Sequence, residues 1–340
     1  MRYFVGIAIA LAAVGQSPAA EQAASLSAKE IANGCIMLFD GETTFGWKVE
    51  GDAKVANGVL KLGGAKTTTL TSTSDFPRGN IIWSFRQAGL NQATMTWRGE
   101  KRNLSTTKNN AWIKETYEPG ALGCSPIFLT VPPGTELEIR SFVFQPILLE
   151  PLFNGADLKG WKQYRGDEKR ARSDFTVTPE GWLHVKDGPG DLQTEKQFDD
   201  FVLQLECISN GKQLNSGIFF RAIPGQYQNG YEAQIQNGFK NGDRTKPTDY
   251  GTGAIYRRQP ARKVVSNDFE WFTMTLIVRG NHMATWVNGY QVTDFTDTRP
   301  AHDNPRNGSK TGKGAISIQG HDSTTNLSFR HIRIAEIPKK

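Results

Sequence analysis

Tyr231-Glu232-Ala233-Gln234-Ile235-Gln236 alternates without a break. In a strand, Tyr231, Ala233 and Ile235 point one way and Glu232, Gln234 and Gln236 the other. One apolar face is what any half-buried strand needs. A carboxylate between two amides is more than solvent requires, and the residue types suit a surface that grips hydroxyl groups.

The rest of the chain has the same period. Phe272 to Ile277 alternates, turns at Gly280-Asn281, and returns as Ala284-Thr285-Trp286-Val287. Asn288-Gly289 then leads into Tyr290 to Phe295. Asn-Gly supplies the positive φ of a two-residue hairpin. Short alternating runs punctuated by Gly, Asn, Asp and Pro predict an all-β protein. Residues 21–33 read as a linker or short helix.

An internal repeat divides the chain. Leu38-Phe39-Asp40-Gly41 with Phe45-Gly46-Trp47 returns as Leu152-Phe153-Asn154-Gly155 with Lys159-Gly160-Trp161. Met95-Thr96-Trp97-Arg98 falls on Ile218-Phe219-Phe220-Arg221, and Glu138 to Phe144 on Leu327 to Ile334. The first copy covers residues 36–147 and the second 150–337. The alignment gives the first no counterpart of residues 222–312, and so none of Glu232-Ala233-Gln234. Two β-sandwiches of jelly-roll type follow, the first shortened.

The chain opens with Arg2, an apolar run from Phe4 to Val14, and small residues up to Ala20. This is the pattern of a secretory signal peptide cleaved near Ala19 or Ala20. The run is too short to span a bilayer, and no later segment does so. The expected location is periplasmic or extracellular. The formal net charge of +6 is mild, and acidic residues accompany the basic ones, so nucleic acid is not an expected partner. Of the three cysteines, Cys207 shares parity with Phe201, Leu203 and Leu205 and belongs in a core. Cys35 and Cys124 are left as a pair that export would allow to oxidise.

Parity gathers a face in the second copy. If its strands share one sheet, Glu206, Phe219, Arg221, Glu232, Gln234, Gln236, Gln319 and His321 lie on one side, with Ser317. Tyr231, Tyr250, Tyr256 and Trp271 are candidates for an aromatic rim. Such a face fits a sugar, whose hydroxyls meet planar bidentate groups and whose C–H faces meet aromatic rings.

Several segments carry a resemblance to a known family. They are Asp191-Leu192-Gln193-Thr194, Asn215-Ser216-Gly217-Ile218-Phe219-Phe220-Arg221, Gly230 to Ile235, Gly253-Ala254-Ile255-Tyr256, Glu270-Trp271, Trp286-Val287-Asn288-Gly289 and Gly314 to His321. In this order they resemble the 3-keto-disaccharide hydrolase family, formerly a domain of unknown function, over nearly all of 150–337. The resemblance implies a concanavalin A-like jelly roll and cleavage of a glycosidic bond in a sugar oxidised at C3. Such a ketone acidifies the C2 proton, so the route needs a base, a holder for the enolate oxygen and an acid. Glu232 and His321 are the candidates for base and acid, and Arg221 for the enolate oxygen. Gln234 and Gln319 would orient the sugar, and Gln236, Glu206, Phe219, Tyr256 and Trp271 would line the binding surface. Asn237 stands where the family often has an acid, which implies altered activity or substrate.

Alternatives stay open at this level. A two-carboxylate glycosidase would use Glu206 and Glu232. A lectin-like module would bind a glycan without cutting it. No cofactor is expected, and a divalent metal at His321 and Glu232 has no spacing motif behind it. The first copy reads as a packing partner or adaptor.

Overall fold

A computed structural model describes residues 25–106, 111–120 and 123–338. The signal-peptide reading falls outside them. Among the described residues the only α-helix is Ala28–Ala32, closed by a capping box in which Ser27 and Glu30 satisfy each other's backbone N–H groups. No described helix is long and apolar enough to cross a membrane.

The strands form two sandwiches. In the first, a sheet in the order 53–56, 59–62, 135–146, 79–89, 113–117 packs on one in the order 47–50, 68–72, 128–131, 94–97, 100–103. In the second, the order 174–177, 183–186, 326–336, 201–209, 272–279, 282–287, 290–296 packs on 161–163, 190–194, 315–320, 216–222, 231–235. The repeat is therefore one of topology as well as sequence. Equivalent isolated bridges, Phe76 to Ser125 and Phe198 to Gly314, mark the same corner in both.

This corrects the alignment in one respect. Ile113–Tyr117 takes the sheet position of Phe272–Arg279, and Glu100–Asn103 takes that of Tyr231–Ile235. The first sandwich does have a strand where Glu232 would be, although it reads Glu-Lys-Arg-Asn. The shortening lies in the hairpin 282–296 and the long loops.

The hairpins form as their turns dictate. Asn288 and Gly289 have φ of 49° and 76°, the left-handed pair of a type I′ turn. Inward residues Phe201, Leu203, Leu205 and Cys207 meet Ile218, Phe220, Tyr231, Ala233 and Ile235 across the second sandwich. Tyr231 is thus a core residue and not part of a rim. It stacks on Phe220, and its hydroxyl donates to Asp297 at 2.7 Å.

The outer face of the eight-stranded sheet is not free. Val202, Ile277, Ala284 and Trp286 join the core of the first sandwich. Trp286 donates its indole N–H to the Met37 carbonyl at 3.0 Å and meets Phe76 edge-on. Gln204 donates to the Gly34 carbonyl at 2.7 Å. Arg262 pairs with Asp40 at 2.7 Å while lying 4.3 Å from the ring centres of both Phe45 and Tyr290. The polar parity of Gln204 is therefore spent on the neighbouring sandwich.

All three cysteines are buried and free, so Cys35 and Cys124 do not pair. Cys35 lies by the Gly289 turn and Cys124 beside Arg279, each fixed by its own local packing. Cys207 is a core thiol, fully enclosed.

Trp286→Ala removes a fully buried indole where the two cores meet. The expected cost is about 3–5 kcal/mol, read as a fall in the denaturant midpoint. A change below about 1 kcal/mol would mean that this contact does not join the two sandwiches.

Candidate functional site

The site is the outward face of the five-stranded sheet of the second sandwich. Its ladder sets the side chains in rows. Gln193 pairs with Ser317, Ser317 with Phe219, and Phe219 with Glu232. In the next row Asp191 pairs with Gln319, and Gly217 with Gln234. Alternation puts every one of these on the side away from the core. All are nonetheless buried, because the loops around 164–172, 223–230, 237–265 and 297–314 close over them.

Gly217 makes room for Glu232. A Cβ built there would lie 2.5 Å from Glu232 Oε1 and 2.8 Å from its Cγ, nearer than real contacts allow. Glu232 itself is 6% exposed. Burial pushes its carboxyl up to about 8, with the Asp249 and Asp191 charges adding to the rise and the Arg306 and Arg257 guanidinium groups opposing it. Among the described residues no hydrogen bond reaches its carboxylate.

Asp191 is the second carboxyl. Its Oδ2 accepts the Gln228 N–H at 2.8 Å. Burial lifts it to about 7, against the pull of the Gln228 N–H, Gln193 and Arg306. Two carboxyls held near neutrality on one face is the environment in which one can serve as base and the other as acid.

Around them stand buried acceptors without partners. Among the described residues Asp191 Oδ1, Gln234 Oε1, Gln319 Oε1 and Ser317 Oγ have no hydrogen-bond partner. Leaving each unpaired costs about 1–3 kcal/mol. A face that gathers four such atoms has the chemistry to accept from a ligand rich in hydroxyl donors. The other ends are anchored: Gln234 Nε2 donates to Asp249 Oδ2 at 3.0 Å, and Gln193 bridges Gly225 N–H and the Gln226 carbonyl. The rim carries Tyr256, whose N–H donates to the Glu232 carbonyl at 2.9 Å and whose ring meets Tyr250 edge-on. Asp249, Tyr250 and Arg257 all have positive φ, a cluster of non-glycine backbone strain beside the site. Opposite, Tyr227 lies between Arg170 and Tyr164.

Several candidates belong elsewhere. Arg221 is fully enclosed and spends its guanidinium on the carbonyls of Asp199, Gly280 and Lys310 and on Asp200 at 2.8 Å. The bulge between Phe219 and Ala222, with Arg221 at φ 48°, turns it off the face and into this tie. It cannot hold an enolate.

Glu206 lies on the other sheet, pointing away from the core, paired with Arg330 at 2.6 Å and His331 at 2.7 Å. Two sheets about 10 Å apart separate it from Glu232. The two-carboxylate alternative with Glu206 therefore fails, since it needs the two carboxyls about 5–9.5 Å apart, flanking one glycosidic bond, and these point outward from opposite faces of the sandwich. Trp271 accompanies Glu206, edge-on to Trp182 and under Arg330 at 4.1 Å.

Gln236 is used within its loop, accepting from Gly238 N–H and the Thr248 hydroxyl at 2.9 Å. Asn237 is equally committed. It accepts from Thr252 and Ser266 and donates to Asp268 at 3.0 Å. His321 lies just past the strand end, exposed, with Nδ1 2.7 Å from Asp322 Oδ2. Phe219, Glu232, Gln234 and Gln319 come together on the face, with Tyr256 beside them.

The sequence reading left out Asp191 and Arg306. The parity test was available for Asp191 and Gln193, which flank the core residue Leu192. Arg306 had no such signal, because it comes from a loop. It lies 5.9 Å from the centre of the Phe219 ring and donates through Nε to the Gln228 carbonyl. Among the described residues no three His, Cys, Asp or Glu groups converge as a metal site.

The family model described as 3-keto-alpha-glucoside-1,2-lyase-like domain matches residues 149–335. No curated protein matches the chain. Among solved structures, a protein from Parabacteroides distasonis described as a candidate glycosyl hydrolase is 20% identical, with 56% of this chain and 94% of that chain covered and a TM-score of 0.44. A second of the same description from that organism is 25% identical over 52% of this chain and 99% of that one, with a TM-score of 0.39. The carbohydrate binding module CBM66 from Bacillus subtilis is 14% identical over 52% of this chain and 96% of that one, at 0.38.

A pH prediction follows from the raised carboxyls. The folded value of Glu232, about 8, lies above its ordinary value of 4.5. Its contribution is complete below the unfolded value and is lost as pH rises through the folded one. Glu232→Gln keeps the shape without the ionisation. The variant should match the native protein in stability near pH 4 and exceed it by a few kcal/mol near pH 8, on the order set by the linkage relation. Chemical denaturation across this range checks it. A gap that does not widen with pH contradicts the burial of an ionisable Glu232.

Proposed function

The chain belongs to the 3-keto-alpha-glucoside-1,2-lyase-like family, and on that premise we propose that it is a carbohydrate-active enzyme that cleaves 3-keto-glycosides by elimination across C1 and C2. The observation that supports this most is that Glu232 and Asp191 both lie on one buried face with carboxyls lifted to about 8 and about 7.

The chemistry runs as follows. The C3 ketone acidifies the C2 hydrogen. Glu232 takes that proton, and the electron pair passes into the enolate. The enolate then expels the C1 oxygen substituent, which receives a proton from Asp191. Water adds to the resulting unsaturated ketone and completes a net hydrolysis. Each step asks for a group with a pKa near the working pH, which burial supplies. Gln234, Gln319 and Ser317 accept sugar hydroxyls, and Arg306 and Arg257 hold positive charge on the side of Glu232 where the enolate oxygen forms. Phe219 is the floor, and Tyr256 part of the wall. His321, paired with Asp322 at the strand end, is the other candidate for the acid.

The ketone must come from a separate oxidoreductase, since no glycine-rich nicotinamide-binding turn is in the sequence. The leader-like residues 1–20 favour action outside the cytoplasm. The first sandwich serves as a packing partner for the large sheet. A glycan-binding module without turnover is the second reading, favoured by the same unpartnered acceptors, which would hold a sugar whether or not it reacts.

The test is turnover by the full chain of a 3-keto-disaccharide, a 3-keto-glucoside and their unoxidised parents. Cleavage of the keto sugars alone is expected, with kcat/KM bell-shaped in pH and highest between about 7 and about 8, since Glu232 must have lost its proton and Asp191 must keep its own. Glu232→Gln should lower kcat by about 10²–10⁴-fold and leave binding nearly intact. Cleavage of the parents would indicate ordinary hydrolysis by Asp191 and Glu232. Saturable binding with no cleavage would leave the binding module.

A further inference from the structure

The internal repeat sets Arg98 of the first sandwich against Arg221 of the second. Arg98 directly follows the strand Thr94–Trp97 and Arg221 lies at the end of the equivalent strand Ser216–Ala222, and both are left-handed, with φ of 51° and 48°. Both are enclosed, at 5% and 0% exposure. Their surroundings differ: Arg221 meets three carbonyls and a carboxylate, Arg98 one carbonyl. The corner bridges align Phe76 with Phe198, so Arg78 stands where the second sandwich has Asp200.

In the second sandwich Asp200 gives its carboxylate to Arg221 Nη2 at 2.8 Å. In the first, that carboxylate has been replaced by a guanidinium, which turns to Glu118 at 3.0 Å. Arg98 donates from Nη1 to the Pro119 carbonyl and lies 5.6 Å from the centre of the Trp97 ring. Among the described residues its buried Nε and Nη2 have no hydrogen-bond partner. A buried guanidinium with two unmade hydrogen bonds is costly unless something supplies them.

Arg98 lines a groove between the sandwiches. Pro77, Pro146, Ile147, Leu148, Val202 and Ile334 give it apolar walls. Arg78 and Lys196 also stand on it, already paired with Glu118 at 3.0 Å and Glu336 at 2.5 Å, and Glu150 and Glu336 line it too, which leaves Arg98 as its unpaired cation among the described residues. Leu148, 63% exposed, offers an uncovered apolar side chain beside it.

We propose that this groove binds an amphipathic carboxylate, an alkyl chain ending in a single carboxylate, which takes at Arg98 the place that Asp200 fills at Arg221. The carboxylate accepts from Arg98 Nε and Nη2, the side-by-side geometry a guanidinium favours. The chain lies along the proline, leucine and isoleucine walls. The site is distinct from the sugar-binding face, which belongs to the small sheet of the other sandwich.

The probe is dodecanoate below its micelle concentration, titrated into the full chain by calorimetry, beside dodecanol and acetate. Saturable one-to-one binding of dodecanoate is expected, with at least tenfold weaker binding of both controls. Arg78→Asp restores the carboxylate found in the second sandwich. Arg78 is half exposed, so the change leaves the fold intact, and it should fill the site from within and abolish dodecanoate binding. Arg98→Gln should do the same by removing the guanidinium. No saturable uptake by the native chain would overturn the proposal, as would unchanged binding by Arg78→Asp. Dodecanol binding equally well would remove the role of the carboxylate, and acetate binding equally well would remove that of the groove.

Discussion

A carboxylate buried in a sheet without a hydrogen bond is what the rest of the second sandwich is arranged around. Desolvation alone would expel Glu232 to water or keep it neutral. The fold keeps it buried and allows the proton. Gly217 vacates the space beside it, and Phe219 occupies the paired position on the neighbouring strand. Loops from both ends of the sheet then cover it, and their own hydrogen bonds are tied to the same face. Asp191 holds Gln228, Gln193 holds Gly225 and Gln226, and Gln234 holds Asp249. Asp191 and Gln234 do both: one end of each side chain holds a loop, and the other has no partner among the described residues.

The two faces of the second sandwich divide the labour. The small sheet turns its polar face to the loops that cover it. The large sheet turns its outer face to the first sandwich, through Trp286, Gln204 and the hairpin 282–296. This explains why a polar residue on a strand could be read two ways. Gln204 and Gln234 both sit opposite a core residue, but one faces a neighbouring sandwich and the other a covered site. The first sandwich has kept the topology and the corner. Its edge strand Glu100–Asn103 occupies the position of Tyr231–Ile235 without presenting Glu-Ala-Gln.

Much of this was legible in the sequence, because period-two alternation and the repeat are local signals. They gave the strands, the hairpin at Asn288-Gly289 and the outward set Phe219, Glu232, Gln234 and Gln319. What they could not give was the partition of strands between two sheets, which is why Glu206 and Trp271 were grouped with residues on the far side of the core. Arg221 followed parity until the bulge turned it inward. Arg306 and Tyr227 approach from loops, whose path alternation does not encode. Asp191 was within reach of the same parity rule that found Gln319, its ladder partner. Cys35 and Cys124 were paired only by elimination, and each is held apart by its own packing.

The central claim is that Glu232 removes the proton at C2. It is tested most directly by cleaving a 3-keto-disaccharide in deuterium oxide and reading the C2 position of the released keto sugar by nuclear magnetic resonance. The account predicts deuterium at C2 with the native chain and product formed about 10²–10⁴-fold more slowly with Glu232→Gln. Product that retains its original C2 hydrogen would contradict it, because the glycosidic bond would then have broken without the enolate.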